Sequence, residues 1–525
     1  MSDTSWLRTY PVRSGTTVPP APGLLSALVP MLREWLPRQR WFAGKGRPIS
    51  GIGLVSATEL LPADGRLGTP GLLHLLLDVH QDVQERAPGA GQGQPADTYQ
   101  LLLGTRALLP PALAPALVGH AVGGPLDGLT IYEALHDPRL TSLLLERLRA
   151  PGRTGHLRFG SEPGTAIQAG LTPRLSTAEQ SNSSVIYGDA FILKLFRRVA
   201  PGPNPDLELS LALARAGSRR VAAPAAWFEA LGLYDEPATL GVLQRFLPGS
   251  ATAWELALQA VEYGTDFSGE AHALGRATAE VHLALARALP TSTLRRPQIE
   301  LLAAAMTGRL DAAAAAVPAL RPYRAALRAA FDDLGALGTR GTTLAAQRVH
   351  GDLHLGQALR TGAPALPRDS GMGVPPGPKD SGMGVPPGPK DSGMGVPPGP
   401  KDSGGWVLID FEGEPARPLP ERRRLAPPVQ DVAGMLRSFD YAARHHDPSA
   451  PGAPEWAQTQ RAAFCTGYAE AAGSDPRDEP VVIRAFETDK AVYEVLYEAR
   501  HRPAWLPIPM AAVRRLAQPP HGRTP

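Results

Sequence analysis

The stretch "RVHGDLHLGQALRT", Arg348 to Thr361, sets His350, Asp352, His354 and Gln357 within eight residues, among apolar neighbours. Further on, "GWVLID" is an apolar run that ends in Asp410. An aspartate closing an apolar strand is rigidly held and suits a metal ligand. Between the two stands "DSGMGVPPGPK", written three times without change over residues 369–379, 380–390 and 391–401. Asp352 and Asp410 are 58 positions apart, and 25 once the three copies are removed. The two polar segments then read as edges of one hairpin that brings their side chains to one place. Each copy is mostly Gly and Pro, so the insert at 369–401 has too little apolar surface to fold and reads as disordered. A period of 11 could suggest a coiled coil, but the prolines exclude it. Growth of this kind costs least in a surface loop, where closure entropy rises slowly with length.

The elements that must position these residues fall into three regions. Residues 1–125 mix short strands with loops: "GLLHLLLDVHQDV" and "DTYQLLLG" read as paired strands around a polar connection. Its "GAGQGQ" opens no helix and reads as a flexible loop, not a phosphate cradle. Residues 126–247 are also strand-rich, with "YGDA" as a tight turn between two apolar runs. From 248 to 525 the apolar spacing turns helical, as in "GEAHALGRATAEVHLALARAL" and "ETDKAVYEVLYEARHR". Strands first and helices afterwards predict an α+β chain with a sheet lobe and a helical lobe.

The bulk numbers exclude several classes. The 525 residues carry a net charge of only +3, with no basic stripe interleaved with aromatics, so no nucleic-acid partner is expected. No run approaches the ~20 apolar residues of a spanning helix, and the start has no apolar signal region. The expectation is a soluble, cytoplasmic protein without a membrane partner. The single cysteine, Cys465, lies in a helical pattern and reads as a small buried apolar residue.

The loop and strand resemble those of the kinase-like phosphotransferases, the fold shared by aminoglycoside kinases and protein kinases. Their H-x-D loop, with an amide five residues on and a strand ending in Asp, is matched by His350, Asp352, Gln357 and Asp410. The resemblance implies that Asp352 accepts the proton of the attacking hydroxyl, while Gln357 and Asp410 hold Mg²⁺ against the phosphates of ATP. Phosphoryl transfer asks for a positioned base, charge neutralisation and alignment, which these residue types supply. His350 braces the loop or faces the substrate, and His354 reads as a structural histidine. A site of this kind also needs a lysine, and "FILKLFRRV" supplies Lys194, whose burial in an apolar strand requires a partner. The following helix, with Asn204 as its cap and Pro205 in its first turn, offers Glu208 as that partner, with Asp206 as the alternative. Ser181, Asn182, Ser183 and Ser184 stand where a glycine-rich phosphate loop would be, and the backbone from Gln244 to Phe246 falls at the expected adenine hinge. No G-x-G-x-x-G precedes Lys194 and no A-P-E follows Asp410, which argues against a protein kinase.

Six strings in order narrow the resemblance: "QRWFAGKG", "EQSNSSVIYG", "HGDLHLGQ", "IDFEGEPARPLPERR", "DVAGMLRSFDYAA" and "KAVYEVLYEARHRPAWLPIP". Together they are similar to maltokinases, which transfer phosphate from ATP to the anomeric hydroxyl of maltose. The resemblance implies an N-terminal cap, a sheet-rich lobe and a helical lobe. It also implies maltose 1-phosphate as product, for α-glucan (glycogen) building, and trehalose synthase as a possible partner. Lys490, Tyr493 and Tyr497 share one helical face and match the family's sugar contacts, although such a stripe could equally be core. Asp431 either bonds sugar hydroxyls or caps its helix. A kinase of another small hydroxyl compound, such as an aminoglycoside, and a catalytically silent kinase-fold partner are the competing readings.

Overall fold

In the computed structural model, the residues described are 23–63, 69–81, 96–176, 181–362, 405–414, 417–445 and 451–518. The three copies of the repeat lie outside them.

The two apolar runs of the first region pair as antiparallel strands, Gly71–Gln81 and Asp97–Arg106. Strand side chains alternate between faces, and both faces are covered here. Leu73, Leu75, Leu77, Leu101 and Leu103 pack with Leu28 and Leu32 of the helix Leu24–Trp35. Leu72, Leu76 and Leu102 face the other way, into a core shared with the helix Pro138–Arg149 and the second sheet. Continuous leucine is therefore what this position in the fold requires. Ile49–Leu61 pairs on one side, and Thr130–Glu133 followed by Leu117–His120 on the other. The boundary expected at residue 125 thus falls inside this sheet. Thr130–Glu133 is only four residues long, and its membership is settled by long-range pairing with Leu103–Arg106 and not by its own pattern.

The second sheet has seven antiparallel strands in the order Gly152–Thr154, Leu157–Ser161, Pro224–Ala230, Ala238–Arg245, Phe191–Leu195, Ser183–Tyr187, Pro173–Leu175. The "YGDA" turn joins Ser183–Tyr187 to Phe191–Leu195, and Gly188 there has a φ of +55°. Lys194 sits in register with Ser184 on one side and Val242 on the other.

One amide joins the two sheets. Gln100 Nε2 donates to the carbonyls of Phe196 at 2.9 Å and Leu240 at 2.8 Å, both in the second lobe. With both amide hydrogens used, Gln100 Oε1 must accept from His74 Nε2 at 2.9 Å. Burial holds His74 neutral, with its pKa lowered to about 4, so it can serve as that donor without a charge. Beside it Arg197 bonds Glu133 at 3.1 Å and lies 4.7 Å over the ring of Trp41. Trp41 and Phe42 of "QRWFAGKG" thereby anchor the cap against the lobe that carries Lys194: Phe42 is buried and packs on Tyr99.

The rest is helical, with small hairpins that hold the chemistry. The helices Ser268–Ala288 and Ala453–Ala472 cross so closely that a Cβ on Gly275 would lie 2.0 Å from the Phe464 carbonyl. Cys465 is buried at this crossing, and burial pushes its thiol up to about 11, consistent with a packing role. The two polar segments do form one hairpin: Ala358–Arg360 pairs antiparallel with Trp406–Leu408. Thr361 and Gly405 close its neck with three hydrogen bonds of 3.0–3.1 Å. The ladder that positions the site is therefore complete before the insert begins. Deleting residues 369–401 is expected to leave kcat unchanged within about twofold and to stabilise the fold by about 1 kcal/mol through the shorter loop. Thermal melts and initial rates of the deletion variant test this, and a large loss of kcat would give the insert a role.

Candidate active site

Lys194 is buried on its strand, and an ammonium taken from water must be paired. Three carboxylates surround it: Asp206 at 3.0 Å, Glu412 at 2.6 Å and Asp410 in closer contact. The partner on the helix Pro205–Arg215 is therefore Asp206 and not Glu208. Asn204 caps this helix by accepting from the N–H of Asp206 at 2.9 Å, which places Asp206 in the first turn facing the strand. Two residues on, Glu208 is turned roughly 200° around the helix and bonds Arg348 at 2.7 Å instead. Asp206 also accepts from the Phe411 N–H at 2.9 Å, so it ties the lysine strand to the chain just beyond Asp410.

Asp410 follows the strand Trp406–Leu408 and has a φ of +67°, a conformation no other non-glycine among the described residues adopts. Its neighbours hold it there. The Ile409 N–H donates to the Gln357 carbonyl at 3.0 Å, and Gln357 Nε2 donates to Asp410 Oδ2 at 2.7 Å. Backbone strain at a held carboxylate is a feature of functional sites. Burial would raise the Asp410 carboxyl, but Lys194 outweighs it and holds the group at about 2. Burial pushes Glu412 the other way, above its usual value, with Asp410 and Asp206 adding to the effect. Arg422 lies 3.8 Å from Glu412, so three carboxylates face two cations, and the remaining negative charge is one that a divalent cation would offset. Oxygens of Asp206, Asp410 and Glu412 all lie within 4.8 Å of one another. Asp206 is the most deeply buried of the three, its side chain 3% exposed against 35% for Asp410 and 17% for Glu412. Asp410, Glu412 and the amide oxygen of Gln357 are the groups left to bind a cation. Glu412 was missed in the sequence reading, although "IDFEGE" places acids at alternate positions directly after an apolar strand.

The expected phosphate turn meets this cluster at one residue: Asn182 Nδ2 donates to Glu412 Oε1 at 2.6 Å. Ser183 Oγ accepts from Arg197 Nε at 2.8 Å, Ser184 is buried in the strand, and Ser181 is exposed at its start. Gln244 and Phe246 flank the cleft end of Ala238–Arg245. The N–H groups of Arg245 and Phe246 are already donated to Ala223 and Ala190, at 3.2 and 2.9 Å.

Asp352 stands on the facing side. Its Oδ1 accepts from Lys490 Nζ at 2.8 Å, and Lys490 also bonds Glu414 at 3.0 Å. Among the described residues no donor reaches Asp352 Oδ2. Burial would raise the Asp352 carboxyl, but Lys490, with smaller help from His354 and His350, holds it below the usual range. His354 accepts from the Gly356 N–H at 3.0 Å and caps the short turn that carries Gln357.

Two residues expected at the sugar are braces. Asp431 is 1% exposed, and its oxygens accept from the N–H groups of His350 and Gly351, both at 2.8 Å, and from His282 at 2.9 Å. Nothing on it is left for a ligand, and it does not cap its own helix. His350 is equally buried. Its Nε2 donates to the Ile409 carbonyl at 2.9 Å and its ring lies 4.7 Å from Phe411, so it ties the base loop to the Asp410 turn. The helix carrying Asp431 approaches this loop so closely that a Cβ on Gly434 would lie 2.5 Å from the Leu353 carbonyl. Lys490, Tyr493 and Tyr497 do share a face. Lys490 Nζ is 4.9 Å from the Tyr493 ring, and the two tyrosine rings stack at 6.3 Å and 26°.

A lysine among acids, a strained aspartate and a second, separately held aspartate across a cleft are the parts of a phosphotransferase. The maltokinase N-terminal cap domain matches residues 35–137, and the phosphotransferase enzyme family matches residues 170–364. The chain belongs to this capped phosphotransferase family. Among relatives, a glucosamine kinase of Mycolicibacterium smegmatis is 27% identical over 70% of this chain and 84% of its own length. One of Streptacidiphilus jiangxiensis is 26% identical over 70% and 78%. The solved structure of a glucosamine kinase in complex with glucosamine, ADP and inorganic phosphate covers 93% of this chain and 98% of its own. Its TM-score is 0.58 at 20% identity, so the fold is shared. No helix among the described residues is long and apolar enough to cross a membrane.

Two outcomes follow. Asp206→Asn is expected to lower kcat/KM for phosphoryl transfer by roughly tenfold or more, through loss of a charged hydrogen bond to Lys194. Glu208→Gln should lower it less than Asp206→Asn does, since Glu208 pairs with the buried Arg348 and not with the cluster. Equal losses in the two variants would contradict the pairing. In Lys490→Met, burial acts on Asp352 with its main opponent removed and only the smaller help of His354 and His350 left, so its pKa rises. The acid limb of the kcat/KM profile should then move to higher pH, and an unmoved limb would show that Lys490 does not set the charge of Asp352.

Proposed function

We propose that this phosphotransferase is an ATP-dependent sugar kinase whose acceptor is maltose, phosphorylated at its anomeric hydroxyl to give maltose 1-phosphate and ADP. The observation that carries the reading is the hollow beside Asp352 and the aromatic shelf that leads from it. Gly351, Asp352, Glu414, Arg417, Gln430, Asp489 and Lys490 line the hollow. Each carboxylate in it has a cation: Asp352 has Lys490, and Glu414 has Lys490 and, at 2.5 Å, Arg417. Asp489 has Arg309 through two bonds of 2.8 Å. A protonated amine calls for a carboxylate without a partner, whereas a neutral polyol is served by paired, oriented groups. The pairing therefore supports a neutral sugar, and the two stacked tyrosines support one with a second ring. The names of the relatives favour glucosamine instead, and that is the second reading.

The chain's own groups divide the work. Lys194 binds phosphate oxygens of the nucleotide, and Asn182 and the adjacent serines offer further donors. The backbone from Gln244 to Phe246 borders the adenine. Asp352 orients the attacking hydroxyl and takes its proton on Oδ2, the oxygen that Lys490 leaves open. Its lowered pKa keeps it ionised over the working pH range. The residues present fit Mg²⁺, with Asp410 and Glu412 as carboxylate ligands and Gln357 as the amide one; when bound, the ion would neutralise charge on the transferred phosphate. The hollow encloses only about 20 Å³, so the acceptor enters with movement of Lys490 or of the lobes. Use of the product in α-glucan building, and association with a trehalose synthase, rest on the family resemblance alone.

Phosphorus NMR of the protein with Mg²⁺-ATP and, in turn, maltose, glucosamine, glucose, trehalose and an aminoglycoside tests the reading. A new anomeric phosphate with maltose is expected. A signal with glucosamine alone would keep the sugar kinase and discard the neutral acceptor. No transfer to any acceptor, with ATP still bound, would mark a silent partner. In Asp352→Asn, kcat should fall by about 10²–10⁴-fold while nucleotide affinity persists, because the base is lost and the phosphate cluster is not.

A further inference from the structure

We propose that the acceptor site continues past a disaccharide, along an aromatic track on the C-terminal helix, and takes linear gluco-oligosaccharides of three or more rings. The inference rests on the sugar-kinase reading above. Lys490, Tyr493, Tyr497 and His501 recur at spacings of three, four and four in the helix Pro480–His501, which puts them on one face. At roughly 1.5 Å per residue this stripe runs about 16 Å outward from the base. Its outer part is open: Tyr497 is 38% exposed and His501 is exposed. The rings follow one another closely, Tyr497 lying 6.3 Å from Tyr493 and 4.8 Å from His501.

The track does not stop with the helix. The guanidinium of Arg502 lies 5.4 Å from the Tyr497 ring and 4.7 Å from that of Trp505, which follows on the turn Pro503–Trp505. Trp505 in turn stands edge-on to His445 at 4.9 Å. Arg502 is held from beneath, Nη2 donating to Glu498 Oε1 at 2.7 Å, and Glu498 is 2% exposed. A planar cation fixed between two aromatic faces adds N–H donors for sugar hydroxyls to an apolar platform. Pyranose rings need both, a flat apolar face for their C–H groups and donors at their edge. A single exposed tyrosine would need no explanation. Here a continuous line of aromatic and donor groups begins at the base and leads to solvent, which is the layout of successive sugar subsites with the reducing end at Asp352.

The test compares maltose with maltotriose as acceptors for the wild-type enzyme, Trp505→Ala, Trp505→Phe and, as an exposed alternative, His501→Ala. Calorimetric titration with maltotetraose accompanies the rates. The wild type should use maltotriose at least as well as maltose by kcat/KM. Trp505→Ala should lower the maltotriose-over-maltose ratio about tenfold, the scale of one lost aromatic contact, and Trp505→Phe should restore most of it. Rejection of maltotriose by an enzyme that uses maltose would overturn the proposal, as would equal losses for both acceptors. If maltose itself is not phosphorylated, the maltose reading falls and the titration decides the track. Maltotetraose binding that weakens in Trp505→Ala and His501→Ala upholds it, and no binding to the wild type overturns it.

Discussion

The ammonium of Lys194 lies in the interior, and the structure depends on its being paired there. No single element provides the pairing. The lysine comes from a central strand of the second sheet, Asp206 from the first turn of the following helix, and Asp410 and Glu412 from the helical lobe. Separating the lobes would leave Lys194 with Asp206 alone and break its contacts with Asp410 and Glu412. The same contact that closes the cleft therefore sets out the groups that face the phosphates. His350 and Asp206 extend it, one reaching the Ile409 carbonyl and the other the Phe411 N–H, so the strained Asp410 between them is gripped from both lobes.

Behind this contact stands a second layer of buried polar groups that fixes the Asp352 loop and the strand of Lys194. Asp431 gathers two backbone N–H groups of the base loop and is itself held by His282, which bonds Tyr468 at 2.9 Å. Gln100, with His74 behind it, does the same for the lobe that carries Lys194, bonding carbonyls on either side of its sheet. Paired buried groups of this kind rigidify a site, although His74 Nδ1 has no hydrogen-bond partner among the described residues. The cap thus reaches the phosphate end through hydrogen bonds and one cation–π contact, at Arg197 and Trp41.

Much of this was legible in the sequence, for reasons that can be stated. The hairpin interrupted by the repeat, the buried lysine and the run of helices after residue 248 all announce themselves through local pattern. What failed was of two kinds. Glu208 was preferred to Asp206 because both stand in an acidic first turn, and only the cap geometry at Asn204 decides which one faces the strand. Asp431 was read as a sugar contact or a helix cap and is neither, while for His350, read as a brace or a substrate contact, the bracing alternative is the one the geometry favours. Their real partners are backbone groups 60 to 80 positions away in the chain, which no spacing rule reveals. The cap boundary failed for a like reason: Thr130–Glu133 joins its sheet through pairing with a distant strand.

The two ends of the cleft differ in charge balance, and the difference follows from what each must hold. Around Lys194 three carboxylates share that ammonium and the guanidinium of Arg422, 3.8 Å from Glu412, and burial pushes Glu412 toward its neutral form, with Asp410 and Asp206 adding to the effect. Around Asp352 every carboxylate has a cation of its own, and the base stays ionised. A surplus of negative charge facing polyanionic phosphates would repel them, so the donor end is complete only when cations accompany its ligand. The acceptor end needs no such company. It can bind an uncharged molecule through directed hydrogen bonds alone, and selectivity there must come from shape and from the aromatic faces along the C-terminal helix. Transfer between the two ends then moves a charged group from a place that demands cations to one already balanced by Lys490 and Arg417.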